Sequence, residues 1–476
     1  MLRRNFLLWG AGAAGVAVAG TVYYRRRADV WKTVYAQGVP YSSVAGILDG
    51  SIDVLDQPVQ LDGQLARLYS FNGSIPGPAI TVTPGDAVRL RLNNYLAEPT
   101  NLHFHGLHVA PTGHADNIFL EVPPGESLQY EFTVPRNHPA GMFWYHPHLH
   151  GRSEKQVSMG LAAPFLVRGD LDQLPEVAAA HEHLLVLQDF PSLNPGGNMA
   201  GMHEHGGGTS RVAVTGRYNP ELTIAENGLA RLRFLNASSS VYYRLTIEEH
   251  PMHVIATDGG GIPAPQAVDE LLLVPGQRTE ILVRGERPPG SYKILSTPSP
   301  GMMGEAEGSP AENSQPIAFL VYEGRSERVW DIPSRLIDVP ALPAPTAPVR
   351  SFVLSGGGMM GGGMMGHGGT YSINGQGFDA RRIDTTVRLD TVEDWEYINT
   401  SRMDHPMHLH VNPFQVLDAH GQPERAWRDL VNVPAGDRVR IRVRFRDFEG
   451  TTVQHCHILA HEDNGMMATV LMVKEP

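Results

Sequence analysis

The 476-residue chain has one cysteine, Cys456, so no disulfide can form within it. It also lacks a basic excess: 38 Lys and Arg stand against 50 Asp and Glu, and no long basic run follows residue 27. That argues against nucleic acid as a partner, which usually needs a basic face. No stretch beyond Tyr24 is long and apolar enough to cross a bilayer. No long apolar stripe of 3.6-residue period occurs either, so helices are expected to be few and short. An apolar fraction of 42% and a charged fraction of 18% fit a soluble globular protein, and the length suits two to four domains. What the chain has in plenty is histidine, 22 residues, many of them clustered.

Residues 1–27 read as an address. Arg3-Arg4 precedes a mildly apolar Gly-Ala-Val segment, the form of a twin-arginine (Tat) export signal. Ala17-Val18-Ala19 offers small residues for cleavage after Ala19. The competing reading is an uncleaved anchor from Phe6 to Tyr24, the chain's one route to a membrane. The export machinery is then a partner, and the destination is the periplasm or another exported location. There, Cys456 is a lone thiol in an oxidising compartment, a liability unless something occupies it.

The body reads as all-β. Val88, Leu90 and Leu92 alternate with polar neighbours, as do Leu128, Tyr130 and Phe132, and as does the arginine-laced run 437–445. A turn recurs ahead of three such strands: Val122-Pro-Pro-Gly125, Val274-Pro-Gly276 and Val433-Pro-Ala-Gly436. Each follows a histidine-bearing segment, and the spacing of about 150 residues implies three consecutive Greek-key β-sandwiches. The expected limits are 40–170, 180–325 and 349–476, with a proline-rich connector over 326–348.

Among the His-x-His pairs of the chain, four stand out: His103/His105, His146/His148, His408/His410 and His455/His457. On a strand, residues i and i+2 share a face, so each pair can present two imidazoles side by side. Eight rings are too many for one metal; divided two, three and three they suit three. The last pair brackets Cys456, which alternation sends to the opposite face. His461 follows five residues on, Met466 five more, and His405 is the spare member of its segment. One thiolate, two imidazoles and a thioether suit a trigonal copper with a long axial Met. Structural zinc, the competing reading, would not need the thioether and usually takes more than one Cys.

These segments, Asn101–Gly106, Trp144–His148, His405–His410 and His455–His461 through Gly465-Met466, resemble the three-domain multicopper oxidases, a family of laccases, bilirubin oxidases and bacterial cuprous oxidases. The resemblance covers residues 45–476. It implies three cupredoxin-like sandwiches and four copper ions. The type-1 copper would take His405, Cys456, His461 and Met466; the type-2 copper His103 and His408; the type-3 pair His105, His146, His148, His410, His455 and His457. The middle repeat, His250-Pro-Met-His253-Val-Ile255, has Ile255 where the final histidine would stand and is expected to lack copper. Phe104 and Val411 depart from the Trp and Gly that many relatives carry.

The implied reaction removes single electrons from a reductant at the type-1 copper and reduces O2 to water at the three-copper cluster. Glu462 and Asp116 are candidate proton carriers by position. The reductant is open. Met359, Met360, Met364 and Met365 lie in a glycine-rich repeat, Met199, Met202, His203 and His205 form a second polar patch, and Met302-Met303 a third. Soft thioethers favour Cu(I), which makes a copper-tolerance cuprous oxidase one reading, with Met403 extending the path. The other is a lid over a broad phenol or aromatic site. Cuprous oxidases often carry an acidic residue where Ser401 stands here. A copper-free binding protein of the same fold and a copper nitrite reductase are the rivals from other classes; the complete ligand set opposes the first, and the four His-x-His pairs the second.

Overall fold

The computed structural model describes residues 39–191, 210–298, 314–356 and 371–474. The export segment and the methionine-rich stretches containing Met199, Met202, His203, His205, Met302, Met303, Met359, Met360, Met364 and Met365 lie outside the described residues. Among the described residues no helix is long and apolar enough to cross a membrane.

The described chain folds into six β-sheets, two in each third. One pairing pattern repeats. Ile47–Leu61 runs parallel to Ala87–Asn94, His181–Pro191 to Leu229–Asn236, and Arg350–Gly356 to Thr391–Asn399. Parallel neighbours cannot be joined by a tight hairpin, so the chain must cross between sheets. The two sheets of the first third share one core, with Ile52 and Leu90 from one meeting Phe143 and Phe165 from the other. The last third is built likewise: Trp395 and Ile441 meet Met407, Cys456 and Val470. The fold is thus all-β, with cupredoxin-like sandwiches in succession, and its helices are short, the longest described being Ser153–Ser158.

The recurring turn has a common physical basis. Gly125, Gly276 and Gly436 all take positive φ (79°, 83° and 71°), where a side chain is strained. Each turn is held by an asparagine at the end of a preceding strand. Asn94 donates from Nδ2 to the Val122 carbonyl at 2.8 Å, Asn236 to Leu273 at 3.0 Å and Asn399 to Val433 at 3.0 Å. In each case the same side-chain oxygen accepts from the backbone N–H two residues on, in Leu96, Ser238 and Ser401.

Alternation places most side chains correctly. Val88, Leu90 and Leu92 are buried between more exposed polar neighbours. The strand Arg438–Phe445 departs from a purely wet arginine face, because Arg442 is 8% exposed and donates two hydrogen bonds to Asp394 at 2.6 and 2.9 Å. A buried charge is tolerated only when paired in this way. The connector packs against the last third: Leu342 N–H donates to Gln415 Oε1 at 2.7 Å, and Gln415 Nε2 donates to the Pro340 carbonyl at 2.9 Å.

Candidate metal centre

Cys456 ends the strand Gly450–Cys456 and is fully buried. The chain then turns through the helix Leu459–Asp463 and comes back. Met466 N–H donates to the His461 carbonyl at 2.9 Å, and Cys456 N–H donates to the Met466 carbonyl at 3.0 Å. This loop brings His461 Nδ1 to 3.6 Å from Cys456 Sγ. His405, which opens the neighbouring strand His405–Leu409, places its own Nδ1 at 3.6 Å from the same sulfur. The two nitrogens are 3.3 Å apart. Met466 is buried in the same core cluster as Cys456. Burial pushes the Cys456 thiol up. Burial also pushes His405 and His461 down, to about 4 and about 3, so both rings are neutral with lone pairs free. On the far side, His405 Nε2 lies 2.8 Å from Ser401 Oγ, and Tyr371 stacks on His461 with ring centroids 3.9 Å apart.

The eight paired histidines gather in one buried nest, each at most 1% exposed. His103–His105 and Gly141–His146 are adjacent strands, with His103 directly opposite His146. In the last third His408 lies directly opposite His455. The two sets interleave: His103 stacks on His410 at 3.9 Å and His105 on His408 at 3.8 Å between centroids. Their nitrogens fall into groups. His148 Nε2 and His410 Nε2 each lie 3.0 Å from His455 Nε2. His103 Nε2 and His408 Nε2 are 3.4 Å apart. His105 Nδ1, His146 Nε2 and His457 Nε2 are buried with no hydrogen-bond partner. Burial, reinforced by neighbouring imidazoles, holds His103, His105, His146, His410 and His457 well below the usual histidine range. Neutral rings with orphaned buried nitrogens are costly unless a ligand uses them, and imidazole donors suit copper. The donor set fits a copper cluster.

The opposite nitrogens of His103, His105, His146 and His408 are tied down, as metal-binding imidazoles usually are, while His457 Nδ1 has no hydrogen-bond partner. His103 Nδ1 lies 2.9 Å from Asp116 Oδ1, and that same oxygen accepts the Phe104 N–H at 2.8 Å. His146 Nδ1 lies 2.9 Å from the Pro147 carbonyl, and His408 Nδ1 2.7 Å from that of Asp429. His105 Nε2 lies 3.0 Å from Asp429 Oδ1. Glu462 is buried with Oε2 3.1 Å from His455 Nδ1 and Oε1 3.6 Å from His148 Nδ1. Asp116 and Glu462 thus both touch the nest. Met403 is partly buried, and its carbonyl accepts hydrogen bonds from Asn399 Nδ2 and Ser401 Oγ. In the middle third, His250 is hydrogen-bonded at both nitrogens, to the Glu248 carbonyl at 2.6 Å and Tyr322 Oη at 2.8 Å, leaving no lone pair for a metal. Val411 sits at φ 69°, a backbone conformation strained for a β-branched residue.

Sequence reasoning missed Asp429, Arg278 and Tyr371. Asp429 and Arg278 lie outside the histidine segments and reach the nest only through tertiary packing. The Trp427-Arg428-Asp429 run, placed shortly after a His-x-His strand, was the available signal for Asp429.

Comparison with known proteins agrees with this geometry. Sequence models of the multicopper oxidase family match residues 53–172, 182–325 and 345–476. The multicopper oxidase mco of Staphylococcus aureus is 28% identical over 424 residues, covering 87% of this chain and 85% of its own. The cell division protein FtsP of Escherichia coli is 31% identical over 386 residues, covering 78% and 77%. A solved multicopper oxidase from Campylobacter jejuni, described as a metallo-oxidase, superposes with a TM-score of 0.79 at 28% identity, covering 92% and 96%. The chain belongs to the three-domain multicopper oxidases and is an oxidoreductase of that family.

Proposed function

We propose that the protein couples one-electron oxidation of a reductant to reduction of O2 to water, using four coppers. Cys456, His405, His461 and Met466 would hold the type-1 ion. His103 and His408 would hold the type-2 ion. His105, His146 and His457, and separately His148, His410 and His455, would hold the type-3 pair. The coppers supply single-electron couples and a place for dioxygen. The observation that carries this reading is the convergence of eight buried imidazoles beside a lone buried thiol, with His455 and His457 joined to Cys456 by peptide bonds.

The chain's own residues do the rest. Cys456 and its two flanking histidines give electrons a short covalent route. Asp116 orients His103 through Nδ1, and Glu462 offers two buried oxygens beside His148 and His455. Both carboxyls are proposed to hold protons for the reduction, which consumes four. The sandwiches are taken to span 40–170, 180–325 and 349–476, and residues 1–27 to direct Tat export to the periplasm or beyond.

The reductant is a phenol or other aromatic, or Cu(I). Cu(I) is supported by the methionine-rich repeat preceding Tyr371, and Ser401 in place of an acidic residue weighs toward aromatics. Side-by-side rates with Cu(I), Fe(II) and a phenol, on copper-loaded protein with and without residues 356–367, decide the matter. A loss confined to Cu(I) supports the cuprous oxidase. Equal loss, or none, supports the laccase-like reading. The likeness to a cell division protein raises a binding role without copper, which the complete donor set opposes.

A further inference from the structure

None of the eight nest histidines comes from the middle third, yet one of its side chains reaches the nest. Arg278, on the strand Arg278–Arg284, is fully buried. Its five N–H groups all find acceptors. Nε donates to the Met142 carbonyl at 3.1 Å, in the first third. Nη1 donates to the Gly276 carbonyl at 3.2 Å, and Nη2 to that of Asp258 at 2.9 Å, both in the middle third. The remaining two grip the Asp429 carboxylate of the last third, Nη1 at Oδ1 at 2.8 Å and Nη2 at Oδ2. One guanidinium therefore joins all three thirds of the molecule.

Its grip is directed at a ligand. Asp429 Oδ1, held by Arg278, is the acceptor for His105 Nε2 at 3.0 Å, while the Asp429 carbonyl takes His408 Nδ1. Fixing Asp429 leaves His105 Nδ1 as the free nitrogen, aimed away from the pair. Two glycines make the room. A Cβ on Gly106 would lie 2.5 Å from both Arg278 Nη2 and Asp429 Oδ2, and a Cβ on Gly276 would lie 2.8 Å from the His457 ring. A bidentate fork suits this task because it fixes the plane of the carboxylate as well as its position.

We propose that Arg278 is a positioning residue for the copper cluster: through Asp429 it sets the orientation of His105 and His408, so the copper-free middle domain completes a site whose ligands all lie in the other two. This rests on the copper assignment proposed above. The type-1 site has no contact with Arg278 and serves as the internal reference.

The test compares Arg278→Lys, and Arg278→Met combined with Asp429→Asn, with the parent protein. Lysine keeps the charge and loses the fork. The double variant removes both charges of the fork together, and Asp258, 3.6 Å from Arg278 Nη1, keeps the hydrogen bond it accepts from the backbone N–H of residue 278. Copper is titrated out with a chelator and followed by metal analysis, by the Cys456-dependent blue absorption and by type-2 electron paramagnetic resonance. The expected result is intact blue absorption with cluster copper lost at about 10-fold lower chelator concentration, and an altered type-2 signal. Cluster copper held within twofold of the parent, with an unchanged type-2 signal, overturns the positioning role. So does parallel loss of blue absorption and cluster copper, which marks a general structural role. A parent protein that binds only the blue copper overturns the cluster assignment itself.

Discussion

The ring of Tyr371 lies nearly parallel to that of His461, 3.9 Å between centroids at 20°, and closes one face of an imidazole beside Cys456. His461 is 3% exposed, and Tyr371 is half-buried. Tyr371→Ala opens that face to water, and solvent favours the more highly charged oxidised site. The type-1 potential is expected to fall by tens of millivolts, with Tyr371→Phe close to the parent. Redox titration of the blue absorption checks this; an unchanged potential in the Ala variant contradicts it.

Ser401 Oγ is the partner of His405 Nε2 at 2.8 Å, which leaves Nδ1 facing the sulfur. Ser401→Ala removes the acceptor that orients the ring. Type-1 copper should be held about 10-fold more weakly, with cluster copper unaffected, as read by chelator competition against the blue absorption. Equal retention by both proteins would assign Ser401 to the Asn399 turn alone.

Glu462 sits between His148 and His455 with neither carboxylate oxygen bound by a well-aligned donor. Glu462→Gln keeps the shape and removes the ionisable proton. Oxygen consumption should fall about 100-fold, while anaerobic bleaching of the blue colour by excess reductant keeps its rate. If both rates survive, the proton role is wrong.

His138 gives the protein a pH dependence away from the metals. Its Nε2 accepts the His108 N–H at 3.2 Å, and burial pushes it down from 6.5 to about 4. The unfolded chain takes up the proton first as pH falls. The stabilisation is therefore complete above about 6.5 and is lost between there and about 4, a loss on the order of 3 kcal/mol. Denaturant melts of the parent and of His138→Gln should converge over that window. A constant gap across it would remove His138 as the cause.

Much of this was legible in the sequence. The period-two strands, the three Pro-Gly turns and the His-x-His pairs are local patterns, and local patterns survive without coordinates. Alternation alone does not show that Arg442 is buried, because its partner Asp394 lies 48 residues away. The asparagine corners were missed for a similar reason: Asn94, Asn236 and Asn399 act across 28 to 37 residues and carry no local signature. Arg278 and Asp429, 151 residues apart, become one unit only when three sandwiches close around them.

The central claim is that Cys456 carries the blue copper and delivers electrons to a separate three-copper nest. Copper analysis with visible spectroscopy of the parent and of Cys456→Ser tests it most directly. The account predicts four coppers and intense blue colour in the parent, and three coppers, no blue colour and no substrate-driven oxygen uptake in the variant. A variant that stays blue, or takes up oxygen at the parent rate, contradicts it.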